Sequence, residues 1–223
     1  MSSSGALSAA FSAASRATEA PLLHRLLRGP VRAVVERWFG LRVEGVEHLP
    51  VGGPYIVAAN HHNYLDGVVL SLAVSEPISF LVMPRVWRAS PFHPALHRHL
   101  GSIPLSLDRP EVGALREALA ALARGRVVGI FPEGPFSVQG RLERGLPGVG
   151  LLALRSGVPV IPAGIRGTYE ALAGRRFYVP RRRAFAVRFG SPRVFGAARD
   201  GDARLARRHV TRRIMGDIAA LVS

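Results

Sequence analysis

From residue 55 onward, short apolar runs alternate with longer stretches whose apolar residues recur every three or four positions. "YIVAAN" (55–60), "SFLVM" (79–83), "IPLSL" (103–107), "VVGIF" (127–131), "PVIPAGI" (159–165) and "FAVRFG" (185–190) predict strands. The spacing predicts helices over 64–74, 111–124, 146–156 and 203–221. Strands that alternate with helices build a central, largely parallel sheet with helices packed against it. The expected fold is therefore α/β, with a largely parallel or mixed sheet flanked by helices. Gly and Pro gather at the ends of the runs, where turns belong. No internal repeat or long linker divides the chain, and 223 residues that are 48% hydrophobic suffice for one well-cored domain. This domain is expected over 41–223.

The residues before it read differently. Residues 1–20 are small and polar, with no charged start followed by a solid apolar core. They read as a flexible lead-in and not as a secretory signal. In residues 21–40, Leu22, Leu23, Leu26 and Leu27 form one apolar stripe and Val31, Val34, Val35 and Trp38 a second. Arg25, Arg28, Arg32 and Arg37 lie between them. This is amphipathic helical spacing, with a break or kink expected at Gly29-Pro30. Such a segment either packs on the domain or lies in a membrane surface, with Trp38 and Phe39 at the interface and arginines toward acidic headgroups. No run of about 18 apolar residues is free of charge, so a membrane-spanning helix is not expected.

Cysteine is absent, which excludes disulfides, thiolate metal sites and a cysteine nucleophile. The formal net charge is +15, and every basic residue other than histidine is arginine. Such a charge attracts nucleic acid, anionic membranes or phosphorylated small molecules. A nucleic-acid binder is the alternative class. However, aromatics make up only 7% of the chain and no RRM, KH or zinc-finger signature is present, so nucleic acid is not the expected partner. A Walker A loop is excluded because the chain has no lysine.

The stretch "NHHNYLD" (60–66) carries the chemistry. Asn63 can cap a helix whose third residue is Asp66, which accounts for two of the seven residues without any function. Within a helix, positions five apart point away from each other. His61 and Asp66 therefore meet only if His61 sits on the turn before the helix and folds back over its first turn. Asp66 would then hold one imidazole nitrogen and leave the other free as a base. His62, four residues before Asp66, is a competitor. No G-x-S-x-G elbow supplies a serine nucleophile. A base without its own nucleophile suits a reaction in which the substrate brings the nucleophile, such as a hydroxyl attacking an activated acyl group.

"NHHNYLD" resembles the N-H-x-[ST]-x-x-D block of the glycerolipid acyltransferases of the 1-acylglycerol-3-phosphate acyltransferase type. "GSIPLSLDR" (101–109), ending in Asp108-Arg109, resembles the second block of that family. "FPEGPFS" (131–137) resembles its F-P-E-G-T-R-S block, and "VPVIPAGI" (158–165) its fourth. Four blocks in order make the signal specific, over roughly residues 40 to 190. The resemblance implies that His61 deprotonates an acceptor hydroxyl and that Asp66 orients His61. The hydroxyl would attack the thioester of acyl-CoA or acyl-carrier protein, with neither a covalent intermediate, a metal nor a cofactor. Glu133 and Gly134 would shape the acceptor site, and Arg109 would hold the negative headgroup. The implied acceptor is a lysophospholipid, first of all lysophosphatidic acid, with another lysolipid, such as an amino-acid-containing one, as the runner-up. The implied location is peripheral, on the cytoplasmic face of the cell membrane.

The chain departs from that pattern at Pro135-Phe136, where the family has Thr-Arg and uses the arginine to contact phosphate. Either another arginine compensates, among Arg85, Arg109, Arg141 and Arg144, or Phe136 packs against a bulkier or less charged headgroup. Arg85 stands where the family often has lysine. His93, His97 and His99 have metal-like spacing, but no carboxylate accompanies them and Arg88 and Arg98 oppose a cation, so no metal site is expected. Arg181–Arg183 read as a solvated loop or a contact with acidic lipid. Leu205, Val210, Ile214, Ile218 and Leu221 form the apolar face of the last helix.

Overall fold

The computed structural model of the chain describes residues 22–105, 110–134, 136–137, 139–172, 180–196 and 202–223. Its sheet has seven strands in the order β1-β7-β6-β2-β5-β3-β4. They are β1 (Arg42–Glu44), β2 (Ile56–Ala59), β3 (Ile78–Val82), β4 (Ile103–Pro104), β5 (Val127–Ile130), β6 (Val160–Arg166) and β7 (Ala186–Phe189). The run β6-β2-β5-β3-β4 is parallel throughout. β7 joins β6 antiparallel, and β1 joins β7 parallel. The sheet is thus mixed, with a parallel centre.

Among the described residues the α-helices are α1 (Leu22–Phe39), α2 (Leu65–Ala73), α3 (Pro84–Trp87), α4 (His93–Leu100), α5 (Pro110–Ala123), α6 (Gly148–Ser156), α7 (Thr168–Leu172) and α8 (Ala203–Val222). Alternate residues of a strand face opposite ways, so β2 divides its side chains between two cores. Val57 and Ala59 join Val69, Leu70, Leu72 and Ala73 of α2 on one face, with Val35 and Phe39 of α1 packed against them. Ile56 and Ala58 join Ala118 and Leu122 of α5, Leu152 of α6, and Val210, Ile214 and Ile218 of α8 on the other. A side chain at Gly150 of α6 would strike the Arg207 carbonyl of α8, so the two helices cross there on bare backbone. The Asp202 side chain caps α8, accepting from the Arg204 and Leu205 amides.

Several expectations change. α1 runs unbroken through Gly29-Pro30. One side of it docks on the domain: Arg28 donates to the carbonyls of Val74 (3.0 Å) and Leu72 (3.1 Å), and Arg32 to that of Leu72 (3.3 Å). Phe39 stacks on Phe185 with centroids 4.6 Å apart. Arg28 and Arg32 therefore hold the carbonyl end of α2 and do not face headgroups. The other side leaves Leu27, Val31, Val34 and Trp38 exposed. Leu205 is 60% exposed and lies off the buried face of α8. β1, α3, α4 and α7 were not expected from the sequence. β1 reads Arg-Val-Glu, too short and polar to stand out, and it lies at the sheet edge. Ser106 and Leu107 of the third predicted strand lie outside the described residues.

Candidate active site

Crevices at the carboxyl ends of parallel strands are the usual ligand sites of α/β sheets. Here β2 delivers Asn60, His61 and His62, its neighbour β5 delivers Phe131 to Gly134, and β6 delivers Arg166 to Thr168.

Two asparagines fix the path out of β2. Asn60 pairs with the main chain of β6, donating from Nδ2 to Ile165 O (2.9 Å) and accepting at Oδ1 from Ile165 N (2.7 Å). Asn63 donates to Thr168 O (2.8 Å) and accepts from the Leu65 amide (3.0 Å). The chain is thereby held in a turn over residues 60–64, and α2 starts at Leu65.

Asp66, in the first turn of α2, is fully buried. Its Oδ2 accepts from His61 Nδ1 at 2.9 Å, from the His62 amide at 2.6 Å and from the Asn63 amide at 2.8 Å. α2 starts at Leu65, so Asn63 stands one position before its N-cap, Tyr64, and the bonds to the His62 and Asn63 amides tie down the turn ahead of the helix. The expected cap is thus shifted by one residue, while one oxygen of Asp66 serves both the turn before α2 and the ring of His61. The carboxylate meets the ring of His61 but only the main chain of His62. The His62 side chain turns the other way: its Nε2 lies 3.1 Å from Asn60 Nδ2, and its ring meets Tyr169 edge-on.

His61 is 9% exposed. Its ring stacks on Phe131, with centroids 3.8 Å apart and planes 6° off parallel. Phe136 abuts it edge-on at 4.5 Å. Nδ1 is held by Asp66, and Nε2 makes no hydrogen bond with the described residues. A neutral imidazole that donates from Nδ1 presents a lone pair at Nε2. The arrangement is chemically able to take a proton from a hydroxyl brought to that nitrogen.

Glu133, which the resemblance implies shapes the acceptor site, makes its hydrogen bonds to the main chain around that site. It is buried, and both carboxylate oxygens face inward: Oε1 accepts from the His61 amide (2.7 Å) and Oε2 from the Glu143 amide (2.6 Å). Burial pushes its carboxyl above the ordinary value, opposed by those two amide bonds. Glu133 thus ties the His61 turn to the loop over 139–146. Ser137 N bonds His61 O at 2.8 Å and fastens the same loop from the other side. Gly134 is exposed at the turn after β5 with φ +82°, and a side chain there would press on Leu146. Arg85 is exposed on the short α3. Asp108, Arg109 and Pro135 lie outside the described residues. Among the described residues no cluster of three or more His, Cys, Asp or Glu could hold a metal.

The model of the family described as Acyltransferase matches residues 40–166. An uncharacterised protein of Mycobacterium tuberculosis is 31% identical over 167 residues, covering 65% of this chain and 42% of that protein. The chloroplastic 1-acyl-sn-glycerol-3-phosphate acyltransferase of Arabidopsis thaliana is 30% identical over 141 residues, covering 59% of this chain and 37% of that one. The chain thus spans about two fifths of the length of these relatives. The crystal structure of the 1-acyl-sn-glycerophosphate acyltransferase from Thermotoga maritima is similar with a TM-score of 0.64 at 26% identity, covering 87% of this chain and 80% of that one. The family match spans more than half of the chain and includes the whole turn that joins His61 to Asp66, so the chain belongs to the acyltransferase family, that of the 1-acylglycerol-3-phosphate acyltransferases.

Proposed function

We propose that the protein moves an acyl chain from acyl-CoA or acyl-carrier protein to the free hydroxyl of a lysophospholipid, with lysophosphatidic acid giving phosphatidic acid as the leading case. The observation that carries this reading is the His61 Nδ1–Asp66 Oδ2 bond of 2.9 Å, in a site where Nε2 is left open.

His61 Nε2 takes the proton of the acceptor hydroxyl as its oxygen bonds to the thioester carbonyl carbon. Asp66 stabilises the imidazolium that forms. The tetrahedral intermediate collapses, the carbon–sulfur bond breaks, and the leaving thiolate takes the proton from His61. The rings of Phe131, Phe136 and Phe80 wall this region. Excluding water from such a site favours attack by the lipid hydroxyl over hydrolysis.

The acceptor and product are lipids, and the exposed stripe Leu27, Val31, Val34 and Trp38 on α1 supports peripheral attachment to a membrane surface, of which the net charge of +15 favours the anionic, cytoplasmic face. Among the described residues no helix is long and apolar enough to cross a membrane. Family membership supports an enzyme over the nucleic-acid binder that the charge alone allowed.

The test is transfer of a labelled acyl chain from acyl-CoA and from acyl-carrier protein to a panel of lysolipids. Formation of labelled phosphatidic acid supports the leading case. Transfer only to an amino-acid-containing or uncharged lysolipid moves the function to that acceptor, and no transfer from either donor rejects the reading.

A further inference from the structure

Phe136 raises a question about phosphate. It stands where the resemblance implies an arginine that contacts phosphate, yet it sits edge-on against His61 and offers no charge. A phosphorylated substrate must find its cations elsewhere. The loop that carries Phe136 continues past Ser137 to Gly140, Arg141 and Leu142, which border a cleft of about 240 Å³ on the opposite side of the β2 exit. Asn60 and His62, the chain neighbours of His61, form its inner wall. Arg166 and Tyr169 come from the end of β6 and from α7.

Two guanidinium groups reach this cleft. Arg141 is 70% exposed, and its ion-pair contact, to Glu143, is long at 3.7 Å. Arg166 is exposed and spends one nitrogen, Nη1, on Ser223 O at 3.2 Å. Most of both donor forks is therefore free, in the geometry that suits phosphate oxygens. His62 adds a polar edge: Nε2 lies against Asn60 Nδ2, while Nδ1 is buried without a partner. Glu170 is the acidic residue in the lining. It is exposed at the rim and makes no ion pair with the described residues.

We infer that this cleft binds a phosphate group carried by one of the two substrates, with Arg141 and Arg166 as its ligands. The inference rests on the acyl-transfer reading for the identity of those substrates, but not for the binding itself. Phosphate is common to the acceptor headgroup and to the donor's coenzyme, and kinetics separate the two. With Arg141→Gln, Arg166→Gln and the double variant, KM is measured for lysophosphatidic acid against monoacylglycerol, and for acyl-CoA against the acyl-pantetheine thioester.

The expected result is a rise of about tenfold or more in KM per arginine for one phosphorylated substrate, with its phosphate-free counterpart unmoved. A shift for lysophosphatidic acid assigns the cleft to the acceptor, and a shift for acyl-CoA assigns it to the donor. Equilibrium binding of glycerol 3-phosphate and of coenzyme A to the full chain is measured in parallel by calorimetry. Should transfer be absent altogether, the acyl-transfer reading fails while this arm still decides the cleft. Binding to wild type that is lost in the double variant upholds it. Equal binding by both proteins, or no binding by wild type, overturns it. Melting temperatures check the fold. If the double variant melts early, Arg141→Gln alone carries the test, since Arg141 is largely exposed.

Discussion

The Glu133 carboxylate accepts the main-chain amide of His61 at 2.7 Å, although the two residues are 72 positions apart. Through this bond the end of β5 fixes the backbone of the residue whose ring Asp66 fixes from α2. The other Glu133 oxygen holds Glu143 N at 2.6 Å. The carboxylate is a positioning group for the site, and its two oxygens do different jobs.

Replacing it tests that view. Glu133→Gln keeps one acceptor oxygen and presents an amide NH2, a donor, to the second N–H. One buried amide then goes unsatisfied, at a cost of about 1–3 kcal/mol. The variant should melt earlier, and kcat should fall while the acceptor KM moves little, because the loss is in the placement of His61. A large rise in acceptor KM at constant kcat would instead mean that Glu133 touches the acceptor. Thermal melts and steady-state kinetics read both.

Phe136 should matter through His61. Edge-on aromatic pairs are worth about 0.5–1.5 kcal/mol. Phe136→Ala should therefore lower kcat by roughly 2- to 13-fold, by freeing the imidazole to reorient. If Arg141 and Arg166 serve the acceptor phosphate, Phe136→Arg should not improve the KM for lysophosphatidic acid. A fall in that KM by a decade would show that the phosphate lies against His61 and that the cleft beyond His62 does not hold it.

The two sides of α1 should separate stability from attachment. Arg28→Ala removes two bonds to carbonyls at the end of α2 and should destabilise the fold by about 1–3 kcal/mol. Val34→Asp and Trp38→Asp alter side chains 65% and 60% exposed, and should leave the melting temperature nearly unchanged. Those two should weaken co-sedimentation with anionic vesicles. High salt should weaken wild-type binding without abolishing it, because charge contacts are screened and apolar burial is not. Undiminished vesicle binding by the Asp variants would place the attachment elsewhere.

The parallel centre of the sheet was legible because its strands are short apolar runs set between helical patterns, and these hardly depend on context. β1 was not, since three residues reading Arg-Val-Glu carry no periodicity and take their strand conformation from pairing with β7. The His61–Asp66 contact could be reasoned from a five-residue spacing because it is local. The work of Asn60 and Glu133 could not, because their partners lie 105 and 72 residues away. The only sequence signal for Asn60 was an amide at the end of a buried strand, where main-chain groups need new partners. Likewise, nothing in residues 21–40 marked Arg28 and Arg32 as carbonyl caps and not headgroup contacts.

Acid should loosen the fold through α4, the second helix after β3. His97 stacks on Trp87, and His24 lies near the end of that helix beside His99. Burial holds both His97 and His24 below their ordinary value of 6.5. A depressed histidine takes its proton more readily when unfolded, so the unfolded chain binds more protons below about pH 6.5 and stability falls as pH drops through that range. The melting temperature should decline from pH 7 to pH 5, and His97→Gln should flatten the slope. An equal slope in the variant would show that His97 is not a source of it.

In the proposed reaction His61, held by Asp66, is the base. The most direct measurement is single-site kinetics of acyl transfer to lysophosphatidic acid for wild type, His61→Ala, His62→Ala and Asp66→Asn, each checked for fold by melting. Removing a general base costs roughly 10²–10⁴ in rate. His61→Ala should show that loss with its fold intact, Asp66→Asn a severe loss as well, and His62→Ala a much smaller one. A fully active His61→Ala, or an essential His62 beside a dispensable His61, would mean that His61 is not the base.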